Sequence, residues 1–291
     1  MKPSFSIVGC GKVGTTLARY LTGAGYTVHG LASRCLESAK KAAELSGATT
    51  YSTDPLDVTP GADMVFITTP DGLIKEVCDA IAAKGGFSDK NMVFHCSGSL
   101  PSTLLGSAKK QGAVIGSVHP LQSFASAYGD KNPFEGIVMA LEGDEAAVNV
   151  GLEMAETLGA KGFRIQTDAK TLYHASAVVA SNYLVTLVDF AYQLLASSGI
   201  DHKDAYTVLG PLIEGTLANI KKVGTVQALT GPVVRGDSAT VSDHLDAIKD
   251  IMPHVMGLYT VLGRHTLEIA KKRGTLTESS RDELTRLFSE P

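Results

Sequence analysis

The sequence predicts an α/β chain, a doubly wound parallel sheet at the N-terminus followed by an all-helical segment. Up to about residue 167, short β-rich runs alternate with amphipathic stretches, the pattern of βαβ units. From Asp168 onward the β-rich runs stop and long helical patterns replace them. A glycine-rich turn, Gly9-Cys10-Gly11-Lys12-Val13-Gly14, stands where the first run meets the first helical pattern. The expected domains are therefore 1–167 and 168–291.

The first run, 5–8, is short and apolar. After the glycine turn, Val13, Leu17 and Leu21 recur at helical spacing until Gly23 and Gly25 stop the helix. Further runs at 26–31, 64–68, 92–95, 113–118, 137–141 and 163–166 read as strands. Helical segments near 36–46, 71–84, 101–111 and 144–158 separate them, several opening on Asp, Ser or Pro and closing on Gly. Beyond 167, helices are expected near 168–198, 203–222, 238–250, 252–273 and 277–288. No repeat, low-complexity tract or Pro/Gly/Ser linker marks the boundary, so the last strand is expected to run directly into the first long helix.

Composition narrows the function classes. Among 291 residues, 26 Lys and Arg face 30 Asp and Glu, a net charge of −4 that offers no basic field to nucleic acid or anionic lipid. The four cysteines, Cys10, Cys35, Cys78 and Cys96, form no C-x-x-C pair, and the eight histidines are scattered. No metal site is expected, and a reducing cytoplasm fits. The N-terminus passes from Lys2 into a strand without a signal core, and no apolar run of about 18 residues is expected to span a membrane.

The glycine turn has the G-x-G-x-x-G pattern, in which one glycine makes the tight turn, a second lets the backbone approach a pyrophosphate and the third lets helix and strand pack closely. Phosphates then meet the free N–H groups and positive dipole of the helix N-terminus. An NAD-selective site places Asp or Glu about 20 residues on, at the end of the second strand. Here that place reads Leu31-Ala32-Ser33-Arg34, and no acid precedes Glu37. A guanidinium beside a hydroxyl suits a 2′-phosphate, so the expected cofactor is NADP; the competing reading makes Arg34 a solvated residue at a helix start. The residues expected to hold it are Gly9, Cys10, Gly11, Lys12, Val13, Gly14, Ser33 and Arg34, with Thr69, Pro70 and Ser97 on the later strand ends.

With Thr68-Thr69-Pro70-Asp71, His95-Cys96-Ser97-Gly98-Ser99, His119-Pro120-Leu121-Gln122-Ser123-Phe124, the helix from Tyr173 to Tyr183, and Thr230-Gly231-Pro232 with Arg235-Gly236-Asp237, the chain resembles a group of Rossmann-like oxidoreductases. Their C-terminal helical part is a domain of unknown function. That group is similar in architecture to the 6-phosphogluconate, β-hydroxyacid, ketopantoate and pyrroline-5-carboxylate enzymes, which commonly dimerise through their helices. The resemblance implies NADP-linked hydride transfer and a homodimer. In the β-hydroxyacid and ketopantoate enzymes a helix Lys four residues before an Asn moves the proton. Here Val178 stands four before Asn182, so His174 or Lys170 must substitute.

Ligands of a doubly wound sheet bind beyond the carboxyl ends of its strands, which singles out the loops 69–72, 96–99 and 119–124. On the first long helix, Lys170, His174, Ser181, Asn182 and Asp189 fall within one broad stripe. The expected catalytic residues are His174, Asn182, Ser181 and His119, a His being suited to proton transfer at neutral pH. The competing reading joins helices through a buried His and Asn. Asp71 is expected to cap a helix, Cys96 to pack, Ser97 and Ser99 to donate to a ligand or simply to shape a turn, and Arg235 to clamp a carboxylate. The expected activity is reduction of a small carbonyl compound, a 2-oxo acid of the ketopantoate type. The alternatives are a cyclic imine reductase or a non-catalytic NADP(H)-binding, redox-sensing protein.

Overall fold

The computed structural model describes residues 2–124, 126, 127, 129 and 131–289. Contacts divide the chain into two compact units, Met1–Leu184 and Val185–Pro291. The first long helix is divided between the units, so the contact boundary lies beyond 167/168.

Eight strands form one sheet in the first unit: β1 (Ser4–Val8), β2 (Thr27–Ala32), β3 (Tyr51–Ser52), β4 (Met64–Ile67), β5 (Met92–His95), β6 (Val114–Pro120), β7 (Val138–Gly143) and β8 (Lys161–Arg164). Their order is β3-β2-β1-β4-β5-β6-β7-β8. Helices α1 (Lys12–Gly23), α2 (Leu36–Ser46), α3 (Asp71–Ala83), α4 (Gly106–Lys110) and α5 (Glu145–Thr157) lie between strands. On β4, Met64 and Phe66 face one apolar cluster while Val65 and Ile67 face the other. Burial on both faces explains why these strands read as continuous apolar runs.

Three details differ from the sequence expectation. The two-residue β3 is too short to leave a pattern. The expected helix 101–111 is a 3-10 turn, Ser102–Leu105, followed by the short α4, which begins at Gly106. The sheet is not wholly parallel: β7 pairs antiparallel to β6, with His119 opposite Ala140 and Pro120 opposite Met139.

A 3-10 turn, Thr167–Ala169, leads into α6 (Lys170–Ser197), whose later part opens the second unit. This helix corrects the expectation about membrane-length segments. The span Thr167–Ser197 is long and apolar enough by length and composition to cross a bilayer, with mean hydropathy 1.3. Lys170, His174, Ser181, Asn182 and Asp189 interrupt its apolar run, which hides it from a count of uninterrupted residues. The second unit continues with α7 (Ala205–Ala228), α8 (Pro232–Arg235), α9 (Ser238–Ile251), α10 (Met256–Arg273) and α11 (Glu278–Leu287). Its core is Val241, Leu245, Leu267, Ala270, Leu276, Leu284 and Phe288.

Candidate functional site

The glycine turn is built from contacts to its neighbours. Gly9 has φ +114, a left-handed conformation that a side chain resists, and a Cβ there would lie 2.7 Å from the Thr69 nitrogen. Thr68 Oγ1 donates to the Gly9 carbonyl at 2.6 Å, fixing the turn to the end of β4. A Cβ on Gly14 would strike the Gly9 carbonyl and the Thr68 hydroxyl, whereas one on Gly11 would enter open space. Gly11 caps α1 with no side-chain hydrogen bond, and no acid occupies the first turn. The helix therefore offers its N–H groups to an anion.

A cleft of about 520 Å³ opens from this turn, lined by Val8, Gly9, Cys10 and Gly11 at one end and by Ser33, Arg34, Cys35 and Ser38 at the other. Thr69 and Pro70 form its wall, and the Thr69 hydroxyl is buried without a hydrogen-bond partner. Arg34 is exposed at the rim and pairs with no carboxylate among the described residues. The residues present fit a dinucleotide carrying a 2′-phosphate. Lys12 opens α1 on the exposed side, Val13 is half-buried, and Cys10 is buried with its thiol against the Ala32 carbonyl. Burial pushes the Cys10 thiol up to about 12.

From this wall the chain leads to a histidine cluster. Asp71, next to Pro70, is the first residue of α3 and not its cap, because Pro70 takes the extended capping position. Its Oδ2 accepts from Ser97 Oγ at 2.7 Å and Ser99 Oγ at 3.1 Å. Ser97 Oγ also accepts from the backbone N–H groups of Ser99 and Leu100. Its one proton is thus committed to Asp71, and the side chain shapes the turn around Gly98.

Gly98 is the point of convergence. An ideal Cβ on it would lie 2.6 Å from His174 Nδ1 and 2.7 Å from His119 Nε2. His119 Nδ1 meets the Tyr173 hydroxyl at 3.0 Å, while His174 Nδ1 is buried without a partner. Burial, then the Lys170 cation and His174, push His119 down to about 4 against the opposing pull of Asp71. Burial pushes the Tyr173 phenol up to about 12. At neutral pH both groups are uncharged, and the phenol holds its proton against an imidazole that resists a second one. Sequence reading places His119 in a loop; it is a strand residue, because pairing with β7 continues to Pro120.

Beneath the cluster, Lys170 is 1% exposed and bonds to Ser117 Oγ and, at 3.2 Å, to Glu142 Oε1. Burial alone would raise Glu142, but hydrogen bonds from Ser102 and Thr167 together with the Lys170 cation hold it below the usual carboxylate range. His95, fully buried at the end of β5, accepts the Ser97 N–H on Nδ1 at 3.2 Å, which leaves the ring proton on Nε2.

The structure thus brings His119 and His174 together, with Tyr173, Gly98 and His95, which sequence reasoning did not single out. The Tyr173-His174 pair at helical offset from Lys170 was the available signal for Tyr173. Ser181 and Asn182 lie about two turns further along α6 and are exposed. The expected polar stripe is broken, since Lys170 faces inward while Asp189 accepts from Gln193. Cys96 packs as expected, its thiol pushed up to about 12 by burial. No group of three or more metal-binding side chains occurs among the described residues.

Residues 2–120 match the Rossmann-like domain model, and residues 137–266 match the Domain of unknown function (DUF2520). The chain combines these two modules. It is similar in structure to protein TM1727 from Thermotoga maritima, with 28% identity, a TM-score of 0.73, and 92% of this chain and 99% of that chain covered. A candidate NADP oxidoreductase, BF3122 from Bacteroides fragilis, gives 25% identity, a TM-score of 0.73 and coverage of 92% and 98%. A pyrroline-5-carboxylate reductase from Coxiella burnetii shares the fold at 12% identity and TM-score 0.61, over 99% of each chain. No curated protein sequence matches the chain.

Proposed function

We propose that this protein is an NADP(H)-dependent oxidoreductase that reduces a small C=O or C=N substrate held over Gly98. The observation that carries this reading is the convergence of His119 Nε2 and His174 Nδ1 on one point. That point adjoins the Ser97–Asp71 turn, and Asp71 follows directly on the wall of the glycine-turn cleft. The similarity to BF3122 supports the cofactor assignment. Gly9, Gly11 and the start of α1 would hold the pyrophosphate, with Ser33 and Arg34 on the 2′-phosphate. Bound NADPH supplies the hydride.

The chain's own residues supply orientation and a proton. With the Tyr173 O–H donating to His119 Nδ1, the His119 proton resides on Nε2 and points at the substrate heteroatom. As negative charge develops there, Nε2–H passes to the substrate while the Tyr173 proton moves to Nδ1, so the imidazole stays neutral, and the half-buried tyrosinate regains its proton from solvent before the next turnover. His174 Nδ1 holds the same atom from a second direction. Ser181 and Asn182 remain candidates for substrate contact through the exposed part of α6.

A ketopantoate-type 2-oxo acid is not supported. In the first unit Lys170 is occupied by Glu142, and in the second Arg235, the expected carboxylate clamp, stands 3.7 Å from Asp237. Leu172, Val179, Tyr183 and Val185 on α6 and Leu212 on α7 are exposed, which favours a homodimer that covers them. All four cysteines are free, in keeping with a reducing compartment such as the cytoplasm.

The test is NADPH oxidation over a panel of keto acids, ketones, aldehydes and cyclic imines. Tyr173→Phe and His174→Gln should each lower kcat by about 10² to 10⁴ and spare NADPH affinity. Arg34→Ala should weaken NADPH binding by about 1.5 to 3 kcal/mol and leave NADH nearly unaffected. Tight NADPH binding with no turnover on any substrate would instead make this a binding protein.

A further inference from the structure

The row of side chains under the histidines has a purpose that packing alone does not require. His95 on β5 is in register with Ser117 on β6, and Ser117 is in register with Glu142 on β7, so all three project from the same face in one line. His119, two residues beyond Ser117, projects from that face one step nearer the carboxyl edge. On α6, Tyr173 and His174 follow Lys170 by three and four residues and share its side of the helix. Two rungs result: Lys170 on Ser117 and Glu142 below, and Tyr173 with His174 beside His119 above.

The lower rung fastens every segment that carries the upper one. Glu142 Oε1 accepts from the Ser102 backbone at 2.7 Å and Oε2 from the Ser102 hydroxyl at 2.7 Å, holding the end of the Gly98 loop. Oε2 also accepts from Thr167 at 2.9 Å, holding the turn before α6. Lys170 ties α6 itself to β6 through Ser117. A buried pair of this kind contributes little net stability, since desolvation offsets its attraction and apolar residues of similar volume often do as well. Its value here is placement and field.

We propose that Lys170 is a positioning residue of the histidine site, which with Glu142 locks the Gly98 loop, β6 and the first turn of α6 together and presents its cation to the imidazoles. This rests on the reading of His119 and His174 as the site. The groups facing His119 are Lys170, Tyr173 and His174 from α6 and Asp71 from α3. Among these Lys170 is the fixed cation, and it disfavours the imidazolium on both His119 and His95.

The experiment is an NMR titration of the full-length protein, following the His119 ring carbons and nitrogens, assigned with His119→Asn. The double variant Lys170→Met/Glu142→Gln removes both charges, and the glutamine amide can still bond the Ser102 and Thr167 hydroxyls, which can turn to accept. Its His119 midpoint should rise by roughly one pH unit, at the low end of what a neighbouring charge produces. The Nε2–H tautomer fixed by Tyr173 should give way to a mixture. Ser117→Ala, a smaller lesion at the same contact, should shift the tautomer in the same direction. A lower melting temperature with the His119 midpoint and tautomer unchanged in both variants would overturn the proposal. Because the readout is independent of turnover, the two can fail separately: full turnover in His119→Asn would overturn the functional reading on which this one rests, whereas an unchanged midpoint and tautomer would overturn this one alone.

Discussion

Adding one methyl group at Gly98 tests the site at its narrowest point. Gly98 is absent from the glycines with positive φ, so alanine fits its backbone. The new Cβ would lie 2.6 Å from His174 Nδ1 and 2.7 Å from His119 Nε2, where ordinary contact begins at 3.4 Å. Each ring must therefore withdraw by about 0.7 to 0.8 Å. Both are the far ends of rotatable side chains, so the overpacking should cost about 1 to 3 kcal/mol of stability and leave the protein folded. A displacement approaching 1 Å at reacting groups costs about 10²-fold in rate. Gly98→Ala should accordingly lower kcat about 100-fold while the NADPH Kd, read by cofactor fluorescence, stays within a factor of about two, since Gly98 does not line the cofactor cleft. Unaltered turnover in a folded Gly98→Ala protein would refute the convergence of the two histidines as the site. An equal loss of NADPH affinity would move Gly98 to the cofactor instead.

Acid should destabilise the fold early. His95 has its ordinary value of 6.5 lowered to about 4, first by burial and then by Lys170, so between those values the unfolded chain binds more protons and stability falls as pH drops. For His95 this amounts to about 2 kcal/mol by pH 5, with His119 adding in the same direction; equal urea midpoints at pH 7 and pH 5 would contradict it. Glu142 adds a later loss as pH falls through its lowered value. Iodoacetamide near neutral pH should modify Cys35 first, because the exposed thiol faces the Ser38 backbone, Ser38 hydroxyl and Glu37 backbone, which lower it, while burial raises Cys10, Cys78 and Cys96. NADP⁺ should protect it, as Cys35 lines the cleft, and comparable labelling of several thiols by mass spectrometry would count against this. Light scattering at micromolar concentration should give twice the chain mass; a monomer would leave the exposed face of α6 unexplained.

The cofactor half of the molecule was readable because its signals are local. Gly9 and Gly14 are required by contacts within the turn and to Thr68 and Thr69, Gly11 stands open at the cap of α1, and Ser33 and Arg34 sit at a fixed distance along the chain from them. The candidate histidine cluster is half legible in the sequence. His119 and His174 are visible as polar residues in telling places, yet their meeting over Gly98 depends on three segments far apart in sequence. Lys170 reads as one more member of a helix stripe until Glu142 and Ser117, from two other strands, show which way it turns. Gly98 looks like an ordinary turn glycine, and only the two rings above it give its missing side chain a meaning. Ser97 shows the reverse: a hydroxyl suited to a ligand, whose proton is already given to Asp71.

The antiparallel seam between β6 and β7 has a bearing on how the site can vary. Because pairing runs out to Pro120 opposite Met139, His119 is carried by a zipped ribbon and not by the connection that follows it. Its backbone is paired with β7, two residues beyond the end of the β5 ladder at Ser117, so the imidazole needs no loop closure to hold its place, and its amide should be among the slower ones to exchange with solvent. The segment between Leu121 and Ile137 is thereby released from the task of aiming the histidine. It can change length or sequence while the imidazole stays where the ribbon holds it.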